Sequence, residues 1–211
     1  MMNCKIGFGF VASLALLALV RTDSGCPELL AKMKSNGCCN LPKTLPEETL
    51  KECKLNSNSF RGNGRLGMKA IMGGIRSASS MPCKMECVFK KLGLFNETAN
   101  RVDTDAAKAA VVQYAPDAWK DAAGTAGNIC STTLNNLYTK MDSTPMPDLG
   151  FKPSCKPCSF LYSTCITIEL MANCPSPSNS SACTSIADSF KTCANNVTTF
   201  FPPPPLKRNR S

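Results

Sequence analysis

The chain has 211 residues, a formal net charge of +9, 14 cysteines and no histidine. The absence of histidine excludes Ser-His-Asp and Cys-His catalysis, histidine metal ligands and histidine-based pH switches. The basic residues form no stripe with interleaved aromatic residues, so no nucleic acid is expected as a partner.

The N-terminal segment is typical of a secretory signal peptide. Lys5 is followed by an uncharged run over residues 6–20 and a polar exit at residues 21–24. A run of about 15 residues is too short to span a bilayer as a helix, and we expect residues 1–24 to be removed. The alternative is an N-terminal helix of the protein core. The protein is therefore predicted to be secreted and extracellular, where most cysteines form disulfides.

Two helices are predicted before residue 56. The first covers residues 27–36 and ends at Gly37, a residue that favours the left-handed conformation of a helix C-terminus. The sequence Thr-Leu-Pro-Glu at 44–47 is a capping-box pattern, and it predicts a second helix from there to Cys53.

Residues 56–80 are rich in Gly, Ser and Asn and are predicted to form a mobile loop. A strong helix is predicted over residues 82–92, ended by Gly93. Asp103 is an N-cap candidate for an alanine-rich helix that runs to about Tyr114.

The rest of the chain is predicted to alternate between helix and loop. Its helical parts are a helix restarted at Pro116, amphipathic turns over 134–141, and helices over 158–172 and 182–195. Residues 144–157 form a Pro-rich loop, and residues 200–211 form a disordered, Pro-rich basic tail. The predicted fold is all-α, a single disulfide-rich domain of about 6–8 helices over residues 25–199.

The spacing of the cysteines limits which of them can pair. Cys83 and Cys87 lie four residues apart on one predicted helix, with Cβ atoms about 5–6 Å apart, whereas a disulfide needs about 3.5–4.5 Å. They must therefore bond to two different partners. The neighbours Cys38 and Cys39 are also expected to bond to different partners, because a bridge between adjacent residues strains the backbone.

The complete cysteine pattern resembles that of insect odorant-binding proteins, in particular the Plus-C subgroup with extra cysteines. The six core positions of that family correspond to Cys53, Cys83, Cys87, Cys155, Cys165 and Cys174. The features of the subgroup correspond to Cys38-Cys39, Cys130, Cys174-Pro175, Cys183 and Cys193. The segment 81–95 is similar to the third helix of the family, and the resemblance extends from Cys26 to Cys193.

The resemblance implies a disulfide pairing. The implied bridges are Cys53–Cys87, Cys83–Cys165 and Cys155–Cys174, with Cys130 as an alternative to Cys155 in the last. The remaining bridges would join Cys26, Cys38 and Cys39 to Cys130, Cys183 and Cys193, in pairings that stay open, for six disulfides in all. Cys158 has no counterpart in the family pattern, and an odd number of cysteines leaves at least one free or intermolecular after loss of Cys4.

The resemblance also implies a function in olfaction and transport. The protein would be an extracellular carrier that binds and solubilises odorants, pheromones or lipid-like molecules in an apolar cavity, without catalysis, cofactor or metal. Its partners would be a small apolar ligand and a membrane odorant receptor, and it would be a monomer or weak homodimer. The first alternative is a secreted humoral, salivary or reproductive interaction protein with a filled core. The second is a small hydrolase, against which the lack of histidine argues.

The candidate ligand-binding residues are apolar and aromatic residues of the predicted helices. They are Phe89, Leu92, Tyr114, Trp119, Leu137, Tyr138, Phe160, Leu161, Ile166 and Leu170. For each of them the alternative is ordinary core packing, because apolar periodicity does not separate core from cavity. Cys155 and Cys158 have the spacing of half a zinc site or a redox pair, but a second pair of ligands is missing.

Two further expectations concern modification and pH. Asn96, Asn179 and Asn196 each begin a glycosylation sequon. Without histidine, the affinity for an apolar ligand is expected to change less than about threefold between pH 7 and pH 5.5. A larger change would require a buried carboxylate, with Glu86 and Glu169 as the first candidates, but such a group is costly and is not expected.

Overall fold

The computed structural model describes residues 26–55, 81–143 and 155–194. These segments contain seven α-helices, one 3₁₀ turn and a two-stranded antiparallel sheet. The helices are α1 (Cys26–Ser35), α2 (Glu47–Glu52), α3 (Met81–Lys91), α4 (Thr104–Tyr114), α5 (Lys120–Ser143), α6 (Cys158–Ala172) and α7 (Ser181–Ala194). The strands are β1 (Phe95–Asn96) and β2 (Arg101–Val102), and the 3₁₀ turn is Asp117–Trp119. The prediction of an all-α, disulfide-rich fold is confirmed.

The helix ends follow the local signals in the sequence. Gly37 and Gly93 have φ values of +61° and +69° and end α1 and α3. After α3, the N–H of Leu94 donates to the carbonyl of Phe89 and that of Gly93 to Lys90, which is a Schellman motif. At α4, the side chain of Asp103 accepts a hydrogen bond from the N–H of Ala106, as expected of an N-cap.

Three local predictions are wrong or incomplete. The predicted capping box at residues 44–47 does not form, because α2 begins after Pro46, which makes no side-chain cap. The turns predicted around residues 134–141 belong to one helix, α5, of 24 residues. The hairpin that pairs Phe95 with Val102 was not predicted, since two-residue strands are too short to show alternation.

The core is organised around α6. This helix packs against α3, α5, α7 and β2, while α4 packs on the outer side of α5 and α1 packs on α7. Eleven of its 15 residues are buried, around most of its circumference. A helix that is apolar on all sides is typical of a central core element, and its sequence contains a single charged residue, Glu169.

Five disulfides are defined between described residues. They are Cys38–Cys183, Cys39–Cys174, Cys53–Cys87, Cys83–Cys155 and Cys130–Cys165. Cys158 and Cys193 are also disulfide-bonded, and no cysteine of the described segments is free. The Cys53–Cys87 pairing implied by the resemblance is confirmed, and Cys38 joins Cys183, one of the partners left open for it.

The other two implied core pairings are wrong, and so are the partners expected for Cys39 and Cys130. Cys83 is bonded to Cys155 rather than to Cys165, and Cys165 is bonded to Cys130 on α5. Cys174 is bonded to Cys39, not to Cys155 or Cys130. The reason is the position of α6. The segment before α6 lies against α3, the middle of α6 faces α5, and the segment after α6 meets the segment after α1. Cys155, Cys165 and Cys174 therefore bond to three different elements.

Several predictions concern residues outside the described segments. They are the signal peptide 1–24, the loop 56–80, most of the loop 144–157, the tail 200–211, and the side chain of Cys26. None of the helices in the described segments is long and apolar enough to cross a membrane.

Candidate ligand-binding site

The buried polar side chains of α6 are the candidate groups in the core for ligand binding or chemistry. Ser159, Tyr162 and Glu169 are 0%, 2% and 3% exposed. Buried polar groups normally have hydrogen-bond partners, so the environment of each shows whether it has a structural role or is open to a ligand.

Tyr162 connects three helices. Its hydroxyl lies 3.4 Å from Oγ of Ser131 on α5, and its ring makes an edge-to-face contact with Phe89 on α3, with centroids 6.0 Å apart. Ser131 donates its own proton to the carbonyl of Thr104 at 3.0 Å, so Tyr162 is the donor to Ser131. Burial raises the pKa of Tyr162. We interpret these contacts between Tyr162, Ser131 and Thr104 as structural.

Tyr138 has a comparable structural role at the sheet. Its hydroxyl accepts a hydrogen bond from the N–H of Val102 at 3.0 Å, and the guanidinium of Arg101 lies 5.3 Å from its ring centroid. Arg101 also approaches Asp142 at 3.6 Å. Burial raises the pKa of Tyr138 far above its usual range. These contacts fasten β2 to α5.

Glu86 on α3 is a partnered carboxylate. One oxygen accepts a hydrogen bond from the backbone N–H of Lys156, and the other lies 3.1 Å from Nζ of Lys90. Its side chain is 13% exposed. Because both oxygens are engaged, Glu86 holds the segment before α6 against α3 and is not available to a ligand.

Glu169 is the opposite case. Among the described residues, its Oε1 has no hydrogen-bond partner, and its Oε2 has only a long contact of 3.5 Å with Nδ2 of Asn173. Burial raises the pKa of this carboxyl group, and no charged group contributes to the shift. The expectation that the protein would contain no buried, unpaired carboxylate is therefore wrong. The neutral acid form is the one that this environment favours.

The ten predicted ligand-binding residues fall into two groups by burial. Phe89, Tyr138, Phe160, Ile166 and Leu170 are at most 6% exposed and belong to one hydrophobic cluster. Leu92, Tyr114, Trp119 and Leu137 are partly buried and pack against that cluster, and Leu161 is partly buried on α6. Nine of the ten thus belong to, or pack against, the hydrophobic core. Their contact with a ligand remains a prediction.

The other predicted features have clear positions. Cys155 and Cys158 are both in disulfides, so neither is a free thiolate for metal or redox chemistry, and no cluster of metal-ligating residues occurs in the described segments. Asn96 and Asn179 are exposed, Asn96 in the β-hairpin and Asn179 just before α7. Asn196 lies outside the described residues.

Glu169 was not among the predicted ligand-binding residues, although its sequence context contains a signal. It is the only charged residue in a 15-residue apolar segment, so a helix buried on all sides must bury it as well. Tyr162 and Ser131 have no comparable signal, because their contact depends on how α5 and α6 pack.

Comparison with protein-family models, with curated proteins and with solved structures finds no match to this chain.

Proposed function

We propose that the protein is an extracellular carrier that binds and solubilises small hydrophobic molecules such as odorants, pheromones or lipid-like compounds. The cysteine pattern carries this proposal. It resembles that of Plus-C odorant-binding proteins, and it accompanies an all-helical fold in which Cys53 is bonded to Cys87 and the neighbours Cys38 and Cys39 bond to different partners.

The composition of the core supports the same proposal. Aromatic and aliphatic side chains from α3, α5 and α6 converge on one cluster, with the unpartnered carboxyl of Glu169 on the central helix. Sites for small ligands are mostly apolar and contain a few polar groups that orient the ligand. Release of apolar surface from water favours such binding by roughly 25 cal/mol per Å² before entropic losses.

The alternative function is that of a secreted interaction protein with a filled core. The observation in its favour is the close packing of several predicted ligand-binding residues. Phe89, for example, is 2% exposed and lies edge-to-face against Tyr162. Such residues would then stabilise the fold and contact no ligand.

Titration of the oxidised, full-length protein with the environment-sensitive dye N-phenyl-naphthylamine distinguishes the two functions. A carrier is expected to bind the dye saturably, at about one dye per chain and with a Kd near the micromolar range, and long-chain alcohols or ketones should displace it. Reduction of the disulfides should abolish binding. Fluorescence that rises without saturation, or does not rise, would contradict the carrier function and favour the filled core.

A further inference from the structure

Glu169 is a buried carboxyl group without a structural task. It is 3% exposed. Within the part of the chain that the structure describes, its Oε1 has no hydrogen-bond partner and its Oε2 is reached only by the side-chain amide of Asn173. An ionised carboxylate is too costly to hold in such surroundings without a cation, and a neutral acid still loses a hydrogen bond that water would provide. A ligand that binds beside Glu169 and forms a hydrogen bond with its carboxyl group would remove this cost.

The position of Glu169 on α6 places it on the face that meets the neighbouring helices. It lies one turn after Cys165, which is bonded to Cys130 on α5. It lies two turns after Tyr162, whose ring and hydroxyl contact α3 and α5. Residues separated by four or seven positions share a helix face, so Glu169 projects toward the same interhelical space. Ile166, one of the predicted ligand-binding residues, precedes Glu169 by three positions and is its neighbour on the helix surface.

The hydrogen-bonding capacity of a neutral carboxyl group determines what this partner can be. Such a group has one O–H donor and one carbonyl acceptor. The Asn173 amide donates to the backbone carbonyl of Glu169 at 2.9 Å and approaches Oε2 at 3.5 Å, so Oε2 is the carboxyl oxygen that faces a donor. We therefore assign the proton of the neutral acid to Oε1, from which it can donate a hydrogen bond. A matching partner must contain an acceptor atom.

We propose that Glu169 is the polar anchor of the ligand site, and that its carboxyl group donates a hydrogen bond to the oxygen of an otherwise apolar ketone, aldehyde, ester or alcohol. This inference rests on the proposed carrier function and specifies the class of its ligand. An oxygenated ligand gains the hydrogen bond that Oε1 lacks, whereas a pure hydrocarbon of the same length leaves Oε1 unsatisfied.

Competition against N-phenyl-naphthylamine with two matched ligands, undecane and 2-undecanone, tests the proposal. The measured quantity is the ratio of the two Kd values, compared between variants so that the difference in ligand solvation cancels. Glu169→Leu removes the donor and is expected to weaken ketone binding about three- to tenfold relative to hydrocarbon binding. Glu169→Gln retains an N–H donor and should keep the wild-type ratio within about twofold. Glu169→Met repeats the test of Glu169→Leu with a more flexible apolar side chain.

Glu86→Gln is the matched control, because it makes the same change on α3 at a glutamate whose oxygens are occupied. It should leave the ratio unchanged. An unchanged ratio in both apolar variants, with dye binding intact, would overturn the anchor and leave the carrier function standing. Tighter binding of decylamine than of the ketone, lost in Glu169→Gln, would overturn it in favour of an ionised carboxylate that binds an amine. A wild-type protein that does not bind the dye would overturn both proposals.

Discussion

The two ends of α6 are attached to the rest of the protein in different ways. Before α6, Cys155 is bonded to Cys83, and the next residue donates its N–H to Glu86, whose other oxygen holds Lys90. After α6, Cys174 is bonded to Cys39, but Glu169, five residues earlier, has no cation. We infer from this comparison that a glutamate removed from water stabilises the fold where donors reach its oxygens, and that without such donors it is a cost.

Removal of the disulfide at either end of α6 should have the largest effect on stability. We expect the double variants Cys83→Ala/Cys155→Ala and Cys39→Ala/Cys174→Ala each to lose about 2–5 kcal/mol in free energy of unfolding, because each bridge restricts the unfolded chain. The sequence separations are 72 and 135 residues, so the second loss should be slightly larger. Urea unfolding without reductant measures both. A loss below 1 kcal/mol at one end would show that the remaining bridges already hold that end.

Truncation of Glu86 should destabilise the N-terminal end by a smaller amount. Glu86→Ala leaves the backbone N–H of Lys156 without its acceptor, which should cost about 1–3 kcal/mol. Glu86→Gln keeps an acceptor oxygen and should cost less than half as much. The same urea experiment tests this pair. Equal losses for the two variants would mean that the charge, and not the hydrogen bond to Lys156, stabilises this end.

Replacement of Glu169 by a neutral residue should raise the free energy of unfolding, whereas the substitutions above lower it. Because burial raises the pKa of Glu169 in the folded state, the folded protein binds this proton more tightly than the unfolded chain does. The stabilisation that this tighter proton binding provides is therefore complete below the glutamate pKa of the unfolded chain, near about 4.3. It is lost as pH rises through the pKa of Glu169 in the folded protein. Each unit by which the folded pKa exceeds the unfolded pKa corresponds to about 1.4 kcal/mol in the free energy of unfolding.

Glu169→Gln does not titrate at this position, so we expect it to be more stable than the wild-type protein at pH 7 and nearly equal to it at pH 4. Urea unfolding at a series of pH values measures the difference, and Glu86→Gln serves as the control in which no such gain is expected. A Glu169→Gln variant that is less stable at pH 7 would show that the carboxylate has a cation partner in the folded protein.

The smallest effect is expected in the middle of α6. Tyr162→Phe removes the hydroxyl that donates to Ser131 but keeps the ring against Phe89, so it should cost about 0.5–1.5 kcal/mol. Ser131→Ala should cost more, because it also removes the hydrogen bond to the carbonyl of Thr104. Thermal unfolding of both variants compares them. A larger loss for Tyr162→Phe than for Ser131→Ala would show that the Tyr162 hydroxyl stabilises the fold mainly through a group other than Ser131.

Much of the secondary structure could be predicted because its signals are local. Gly37 and Gly93 end their helices by adopting positive φ, and Asp103 caps α4 through its own side chain. The apolar run from Cys158 to Ala172 matches α6 residue for residue. The short hairpin at Phe95–Val102 escaped prediction because its strands of two residues are too short to show alternation, and the hydrogen bond from the Val102 N–H to the Tyr138 hydroxyl joins residues 36 positions apart.

By itself, the amino-acid sequence determined where α1 and α3 end, the N-cap of α4, the rule that Cys83 and Cys87 cannot pair with each other, and the presence of a single charged residue, Glu169, in α6. These follow from the spacing of a few neighbouring residues. Only the tertiary structure decided that Cys83 bonds to Cys155 and Cys165 to Cys130, and that both oxygens of Glu86 have partners while Oε1 of Glu169 has none among the described residues. The physical reason is that α6 is surrounded by other helices, and the partners of each residue depend on how these helices are arranged around it.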